Sequence, residues 1–301
     1  MPNLLPAKAV VQERLQEFHL VPNQNLGQHF LIDDELLRLI AYQADTQSTI
    51  IEIGPGIGQL TERLAQKSKS VVAIEIDRRF EPVLQALQKK HRNLQIIFGD
   101  ALRVDLLQIV KAATKKHVTS QIVANLPYQI TEPFLNRVSQ LPLTNLVLLV
   151  GRNFARSALA VTPDDPFYSS LSLLTQSFFL VEHLADVPKN AFMPEPRTSS
   201  DVLKLTPRAS LTDTPSRTHF VGQQLFTTQS KGALLKNVIK ESLISFGKQY
   251  QQSDSNQAVI TQNQARAVMR LLSIPEPILS KPFSQLNNTE IKILTQQLQL
   301  L

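Results

Sequence analysis

Five short apolar runs recur between residues 49 and 150, and they constrain the fold more than any other feature of the chain. They are Thr49–Ile53 (TIIEI), Ser70–Ile76 (SVVAIEI), Leu94–Phe98 (LQIIF), Gln121–Ala124 (QIVA) and Asn145–Val150 (NLVLLV). Each is strand-sized and rich in Ile, Val and Leu. Runs of this kind suit strands covered on both faces. Stretches with helical apolar spacing stand between them, at Leu60–Ala65 and Arg79–Lys90, and Asp33–Tyr42 precedes the first run with acidic residues at its start. Strands alternating with helices predict an α/β fold with a mostly parallel sheet and helices on both faces. Ser172–Glu182 and Asp201–Leu205 are candidates for further strands, including an antiparallel edge.

Composition changes at Thr206–Thr218 (TPRASLTDTPSRT), which reads as a linker. Beyond it, Phe220–Phe246 and Ala265–Leu272 show helical spacing without β-rich runs, and Lys248–Gln264 reads as a loop. The expected organisation is an N-terminal arm (1–25), an α/β domain (26–206) and a small all-α domain (207–301). Charge divides in the same place. Residues 1–201 hold 20 Lys+Arg and 20 Asp+Glu, whereas residues 202–301 hold 11 and 5, so the whole net charge of +6 lies in the last third. That asymmetry fits a small-molecule domain joined to one that meets a polyanion, or else a solvated basic face. Lys231, Lys236 and Lys240 are the candidate RNA-binding residues.

No apolar run approaches the roughly 20 residues of a membrane span, and Met1–Gln12 lacks the pattern of a secretory signal. A cytoplasmic protein is expected. The absence of cysteine excludes disulfides, thiolate catalysis and cysteine-ligated zinc, and six scattered histidines give no reason to expect a metal.

Four local patterns carry the chemistry. Glu52-Ile-Gly54-Pro-Gly56-Ile-Gly58 lies between the first strand and the next helix, where glycines let the backbone turn sharply and approach a ligand. A plain tight turn or a dinucleotide site also uses such glycines. The Gly-x-Gly-x-Gly spacing and Pro55, which lacks an amide donor, argue against a pyrophosphate clamp. Glu75, near the end of the second strand, is placed to accept from both hydroxyls of a ribose, with Asp77 as an alternative reader or a helix cap. Asp100 is placed to accept from the amino group of an adenine ligand, or to cap the next short helix. Asn125-Leu126-Pro127-Tyr128 follows the fourth strand. The amine of adenine is a poor nucleophile because its lone pair is delocalised into the ring. The Asn125 side-chain oxygen and the Leu126 carbonyl offer acceptors for its two hydrogens, Pro127 fixes the turn, and Tyr128 offers a stacking face.

With these motifs in this order, the chain resembles the rRNA adenine N6-dimethyltransferase family from Leu26 to about Leu205, and less clearly beyond. Gly27-Gln28-His29-Phe30-Leu31 looks like the family's N-terminal cofactor segment. Phe192-Met-Pro-Glu-Pro-Arg197 with Ser200 resembles a downstream stretch whose first aromatic is expected to stack on a flipped base. The resemblance implies a Rossmann-like methyltransferase sheet with a small C-terminal all-α domain. It also implies S-adenosylmethionine as cofactor, held by Gln28, His29, Leu31, Gly54, Gly56, Gly58, Glu75, Asp100, Ala101 and Asn125. Asn125, Leu126, Pro127, Tyr128 and Phe192 are the implied catalytic residues. The implied substrate is adenine N6 in small-subunit (16S-type) rRNA, dimethylated within a ribosomal subunit or its precursor by a monomeric enzyme without metal. A large-subunit (23S-type) activity of the antibiotic-resistance type and a catalytically silent nucleic-acid-binding relative are the alternatives. The chain departs from the family at Gly151-Arg152-Asn153, where a Lys-Glu pair is usual. It also lacks the usual basic residues before Gly27 and at Thr227-Thr-Gln-Ser230.

Overall fold

The computed structural model describes residues 6–115, 118–208, 216–228, 232–250 and 260–301. Two compact units are present, residues 1–155 with 182–206 and residues 156–181 with 207–301. In the first, β1 (Phe30–Leu31) pairs antiparallel with β8 (Phe192–Met193) in a short ladder. The main sheet contains β2 (Thr49–Ile53), β3 (Ser70–Glu75), β4 (Leu94–Phe98), β5 (Ser120–Asn125), β6 (Leu146–Gly151), β7 (Phe179–Val187) and β9 (Ser200–Pro207). Among the described residues its order is β4-β3-β2-β5-β6-β9-β7. The pairs β3–β4, β2–β3, β2–β5 and β5–β6 are parallel, and β6–β9 is antiparallel. The five apolar runs form the parallel part, and both faces are covered: every residue of β2 and β6 is buried.

Strand order reverses between β2 and β5. Their carboxyl ends therefore open a crevice between Gly54 and Asn125, the place where open α/β sheets bind ligands. Helices α2 (Asp34–Tyr42), α3 (Gln59–Lys67), α4 (Glu81–Lys90), α5 (Leu106–Thr114) and α6 (Thr131–Val138) connect or flank these strands. Asp33 caps α2 as its acidic start suggests, its carboxylate accepting from the amides of Glu35 and Leu36.

Four helices differ from the sequence reading. The polar lead-in contains α1 (Ala7–Glu17), which buries Ala7 and Val11 in the same core as β2 and β3. Leu15 packs against that core only partly buried, and the other residues are mostly polar, so periodicity barely shows. Ser172–Phe178 is not strand but most of α8 (Ser170–Phe178), with β7 starting at Phe179. Alternation suggests strand there because α8 buries its polar residues with its leucines. Ser172, Thr175 and Ser177 are buried, and their hydroxyls donate to the carbonyls of Ser157, Ala158 and Leu173. Helices α12 (Glu276–Leu279) and α13 (Asn288–Leu298) follow α11 (Gln262–Leu271) within the expected all-α domain, at positions where no helix was named.

The second unit is helical, with α8, α9 (Arg217–Thr228), α10 (Leu235–Tyr250) and α11 to α13. The division between units falls within α7 (Arg152–Leu159). Aromatic edges close the helical core: Phe226 meets Phe178 and Phe283 with ring centroids 6.4 and 4.9 Å apart, and Phe220 meets Phe246 at 5.6 Å. The expected loop at Lys248–Gln264 is shorter than read, since α10 runs to Tyr250 and α11 starts at Gln262. Residues 251–259 within it, like 209–215 of the linker, lie outside the described residues.

Candidate functional site

A cavity of about 170 Å³ occupies the crevice at the carboxyl ends of β2, β3 and β5. Its floor is the turn after β2, where Gly54 and Gly56 adopt φ of +69° and +55° and bring bare backbone to the cavity. Gly58 belongs to the motif but does not line the cavity. It opens α3 at φ +82°, and a Cβ there would stand 2.1 Å from Leu87 Cδ1, so its glycine serves packing.

Gln28, His29 and Leu31 form one wall. Two links tie them down. The Gln28 amide donates to Asp77 Oδ2 at 2.7 Å, and His29 Nδ1 lies 2.8 Å from the Pro194 carbonyl. The β1–β8 ladder, with Leu31 opposite Phe192, thus brings together two motifs more than 150 residues apart. Phe192 itself is 2% exposed in the core and does not line the cavity. In this structure it offers no open face to a base, because pairing with Leu31 encloses it.

Glu75 lines the cavity from the end of β3. Its Oε2 accepts from the Gly56 amide at 2.9 Å and its Oε1 from the Asp77 amide at 2.8 Å, fixing the carboxylate against the glycine turn. Two of its roughly four lone-pair sites are thereby used. Burial raises its pKa, and the two amides oppose the rise. Asp77 acts as a cap: Oδ1 accepts from the Arg79 amide, and the Arg79 guanidinium holds its pKa below the usual range. Asp100 also lines the cavity, with Gly99 and Ala101. Its Oδ1 closes a turn by accepting from the Leu102 amide at 2.8 Å, rather than capping a helix; Asp105 caps α5 instead.

Asn125 and Pro127 line the far side of the cavity. Asn125 Nδ2 donates to the His29 carbonyl at 3.2 Å, which leaves Oδ1 as the acceptor end. Leu126 is buried, and its amide donates to the Leu149 carbonyl, anchoring the turn to β6. Tyr128 stands outside the cavity wall, 38% exposed, with its hydroxyl 2.6 Å from Ser200 Oγ. Burial of the ring raises its pKa.

Glu52, which the sequence reading named only as the first residue of the glycine motif, and two arginines that it passed over also bear on the site. Glu52, in the middle of β2, is 2% exposed and lines the cavity, with no hydrogen-bond partner for Oε2. Burial pushes its pKa up to about 8, and the nearby Glu75 charge adds to the rise. A glutamate inside an apolar run was its signal. Arg14 of α1 donates to the Ile57 carbonyl at 2.8 Å and pairs with Glu62 at 2.6 Å, bracing the glycine turn from behind. Arg137 of α6 donates through its two terminal nitrogens to the carbonyls of Ala101 and Val104, each at 2.5 Å, clamping the loop that carries Asp100. Nothing local in the sequence marks either arginine.

In the helical unit Lys236 Nζ lies 3.4 Å from Glu276, and Lys240 Nζ 3.4 Å from Glu241. Lys231 lies outside the described residues. Among the described residues no helix is long and apolar enough to cross a membrane.

The profile of the family described as ribosomal RNA adenine dimethylase matches residues 21–274. Over 198 residues the chain is 38% identical to ribosomal RNA small subunit methyltransferase A of Oceanobacillus iheyensis, covering 64% of this chain and 67% of that protein. It is 40% identical over 189 residues to the protein of the same name from Shouchella clausii, covering 62% and 64%. Among solved structures, a dimethyladenosine transferase from Plasmodium falciparum superposes with a TM-score of 0.55 at 22% identity, covering 88% of this chain and 95% of that one. The 23S rRNA methyltransferase ErmE superposes with a TM-score of 0.51 at 20% identity, covering 89% and 99%. These two likenesses are of fold.

Proposed function

Since this chain belongs to the ribosomal RNA adenine dimethylase family, we propose that it transfers methyl groups from S-adenosylmethionine to adenine N6 in small-subunit rRNA, two to each target base. The supporting observation is that Asn125 and Pro127, on either side of the buried Leu126, line the same cavity as Gly54, Gly56 and Glu75. The residues present fit the cofactor. The cavity has an apolar lining for an adenosine, and the carboxyl groups of Glu52, Glu75 and Asp100 offer acceptor oxygens for the hydroxyl, amine and ammonium hydrogens of such a ligand. Glu52 Oε2 is an acceptor still without a donor.

In this reading Gly54, Gly56, Gln28, His29 and Leu31 hold the cofactor, with Gly58 setting the start of α3 behind the turn. Glu75 takes the ribose hydroxyls, while Asp100 and Ala101 take the adenine. Bound S-adenosylmethionine supplies a methyl group on a good leaving atom. The protein's own task is then geometric. The Asn125 side-chain oxygen and the Leu126 carbonyl accept from the target amine and turn its lone pair toward the methyl group. Pro127 fixes the turn, Tyr128 supports the flipped base, and the proton released afterwards passes to solvent. Phe192 has a supporting place, holding β8 against Leu31. No metal is required.

We assign residues 26–206 to catalysis, 1–25 to an arm, and 207–301 to contact with rRNA in a ribosomal subunit or its precursor. The enzyme acts as a monomer in the cytoplasm, where that substrate is found. The test is methyl transfer from labelled S-adenosylmethionine to isolated small-subunit and large-subunit particles, followed by mapping of the label. N6-methylated adenine in the small subunit is expected, and it should vanish in Asn125→Ala. Label confined to the large subunit would replace this reading with the resistance type, and no transfer to either would overturn it.

A further inference from the structure

The departure at Gly151-Arg152-Asn153 coincides with the seat of the Tyr128 ring. A Cβ built on Gly151 would stand 3.3 Å from both Cγ and Cδ1 of Tyr128 and 3.4 Å from Cδ2, so the ring lies against the glycine backbone. The far end of the same ring is tied down by the hydrogen bond of its hydroxyl to Ser200. Gly151 and Ser200 are not independent. They face each other across the β6–β9 ladder as register partners, and the Arg152 amide donates to the Ser199 carbonyl at 3.0 Å.

The next residues along the two strands close this end of the ladder. Arg152 Nη2 donates to Asp186 Oδ1 at 2.6 Å, and Arg152 Nε stands 3.0 Å from Asp201 Oδ2 as an ion pair, at an angle that makes no hydrogen bond. His183 Nε2 lies 3.0 Å from the other Asp201 oxygen. His183, Asp186 and Asp201 together resemble a metal-ligand group. The guanidinium already supplies the cation there, so the cluster is better read as a brace for β6 and β9.

We propose that Gly151 and Ser200 are positioning residues for Tyr128. The glycine admits the ring and the serine fixes its hydroxyl, so that the stacking face is set before a target base arrives. The inference rests on the reading that Tyr128 meets the target adenine. A side chain at 151 would push the ring by a few tenths of an ångström, and loss of the hydroxyl at 200 would release its far end, in neither case touching the cofactor cavity, which neither residue lines. Misplacement on that scale acts on turnover more than on binding.

The test uses the full chain. Steady-state methylation of small-subunit particles by Gly151→Ala, Ser200→Ala, Ser200→Thr, Tyr128→Phe and the double variant Tyr128→Phe/Ser200→Ala gives kcat and the KM for S-adenosylmethionine. Ser200→Ala and Tyr128→Phe should each lower kcat about tenfold with little change in that KM. The double variant should be no slower than either single one, because both remove one hydrogen bond. Ser200→Thr should recover most of the loss, and Gly151→Ala should be at least as slow as Ser200→Ala. An unaltered kcat in both Gly151→Ala and Ser200→Ala would overturn the proposal, as would additive losses in the double variant. NMR of protein labelled with ¹³Cζ-tyrosine separates this inference from the reading beneath it. A Tyr128 signal that moves in Ser200→Ala supports the seat even if the parent methylates nothing, whereas a signal unmoved in Ser200→Ala, when the parent methylates adenine, refutes the seat alone.

Discussion

Glu52→Gln should make the protein's stability less sensitive to pH. Glu52 is buried in β2, Oε2 has no partner, and burial pushes its pKa to about 8. In the unfolded chain the same carboxyl titrates near 4.3. Between those values the native state keeps a proton that the unfolded state has released, so native stability falls as pH rises. The slope is about 1.4 kcal/mol per pH unit, which gives a loss on the order of 2 kcal/mol between pH 6.0 and 7.5. Glutamine does not titrate. Its unpaired amide changes the variant's stability by an offset but not by a slope. Glu75, whose pKa is raised in the same direction, is present in both proteins, so the comparison reads Glu52 together with its coupling to the Glu75 charge. Urea unfolding followed by circular dichroism, at both pH values and one ionic strength without cofactor, gives the free-energy difference between variant and parent. That difference should shift by about 2 kcal/mol in the variant's favour at the higher pH. An equal difference at both pH values would mean that Glu52 is ionised in the native state, and the reasoning from burial would fail.

Two other outcomes follow from the site and the helical unit. Arg137→Gln removes the fork that clamps the Ala101 and Val104 carbonyls. The dissociation constant for S-adenosylmethionine, measured by calorimetry, should rise about tenfold, with Arg137→Lys intermediate; unchanged affinity in both would show that the loop holds itself. Joint substitution of Lys236 and Lys240 by glutamine should weaken rRNA binding and reduce the salt dependence of log affinity by roughly one unit for each phosphate no longer neutralised. Their pairings with Glu276 and Glu241, partly exposed for both lysines, are each worth about 1 kcal/mol or less and leave them able to exchange partners. Superimposable salt curves for variant and parent would leave these lysines without an RNA role.

The parallel sheet was legible in the sequence because its signal is local. A strand covered on both faces must be apolar along its length, and the five runs become β2 to β6 with boundaries shifted by a residue or so. The glycine turn, Glu75, Asp100 and Asn125 were also legible, since each stands at the end of a strand and strand ends meet along one edge of a parallel sheet. Other features depended on residues far apart in the chain. The N-terminal helix reaches the core through Ala7 and Val11, and Arg14 finds the Ile57 carbonyl 43 residues away. Arg137 finds its carbonyls 36 and 33 residues back. Helix α8 was misread because hydroxyls bonded to carbonyls can be buried on every side, which erases the periodicity that marks a half-exposed helix. Asp77 proved to be a cap, Gly58 a packing glycine and Phe192 an enclosed side chain for the same reason. Residue type and spacing record what a position can do, whereas burial and the choice of hydrogen-bond partner are set by neighbours that only the folded chain supplies.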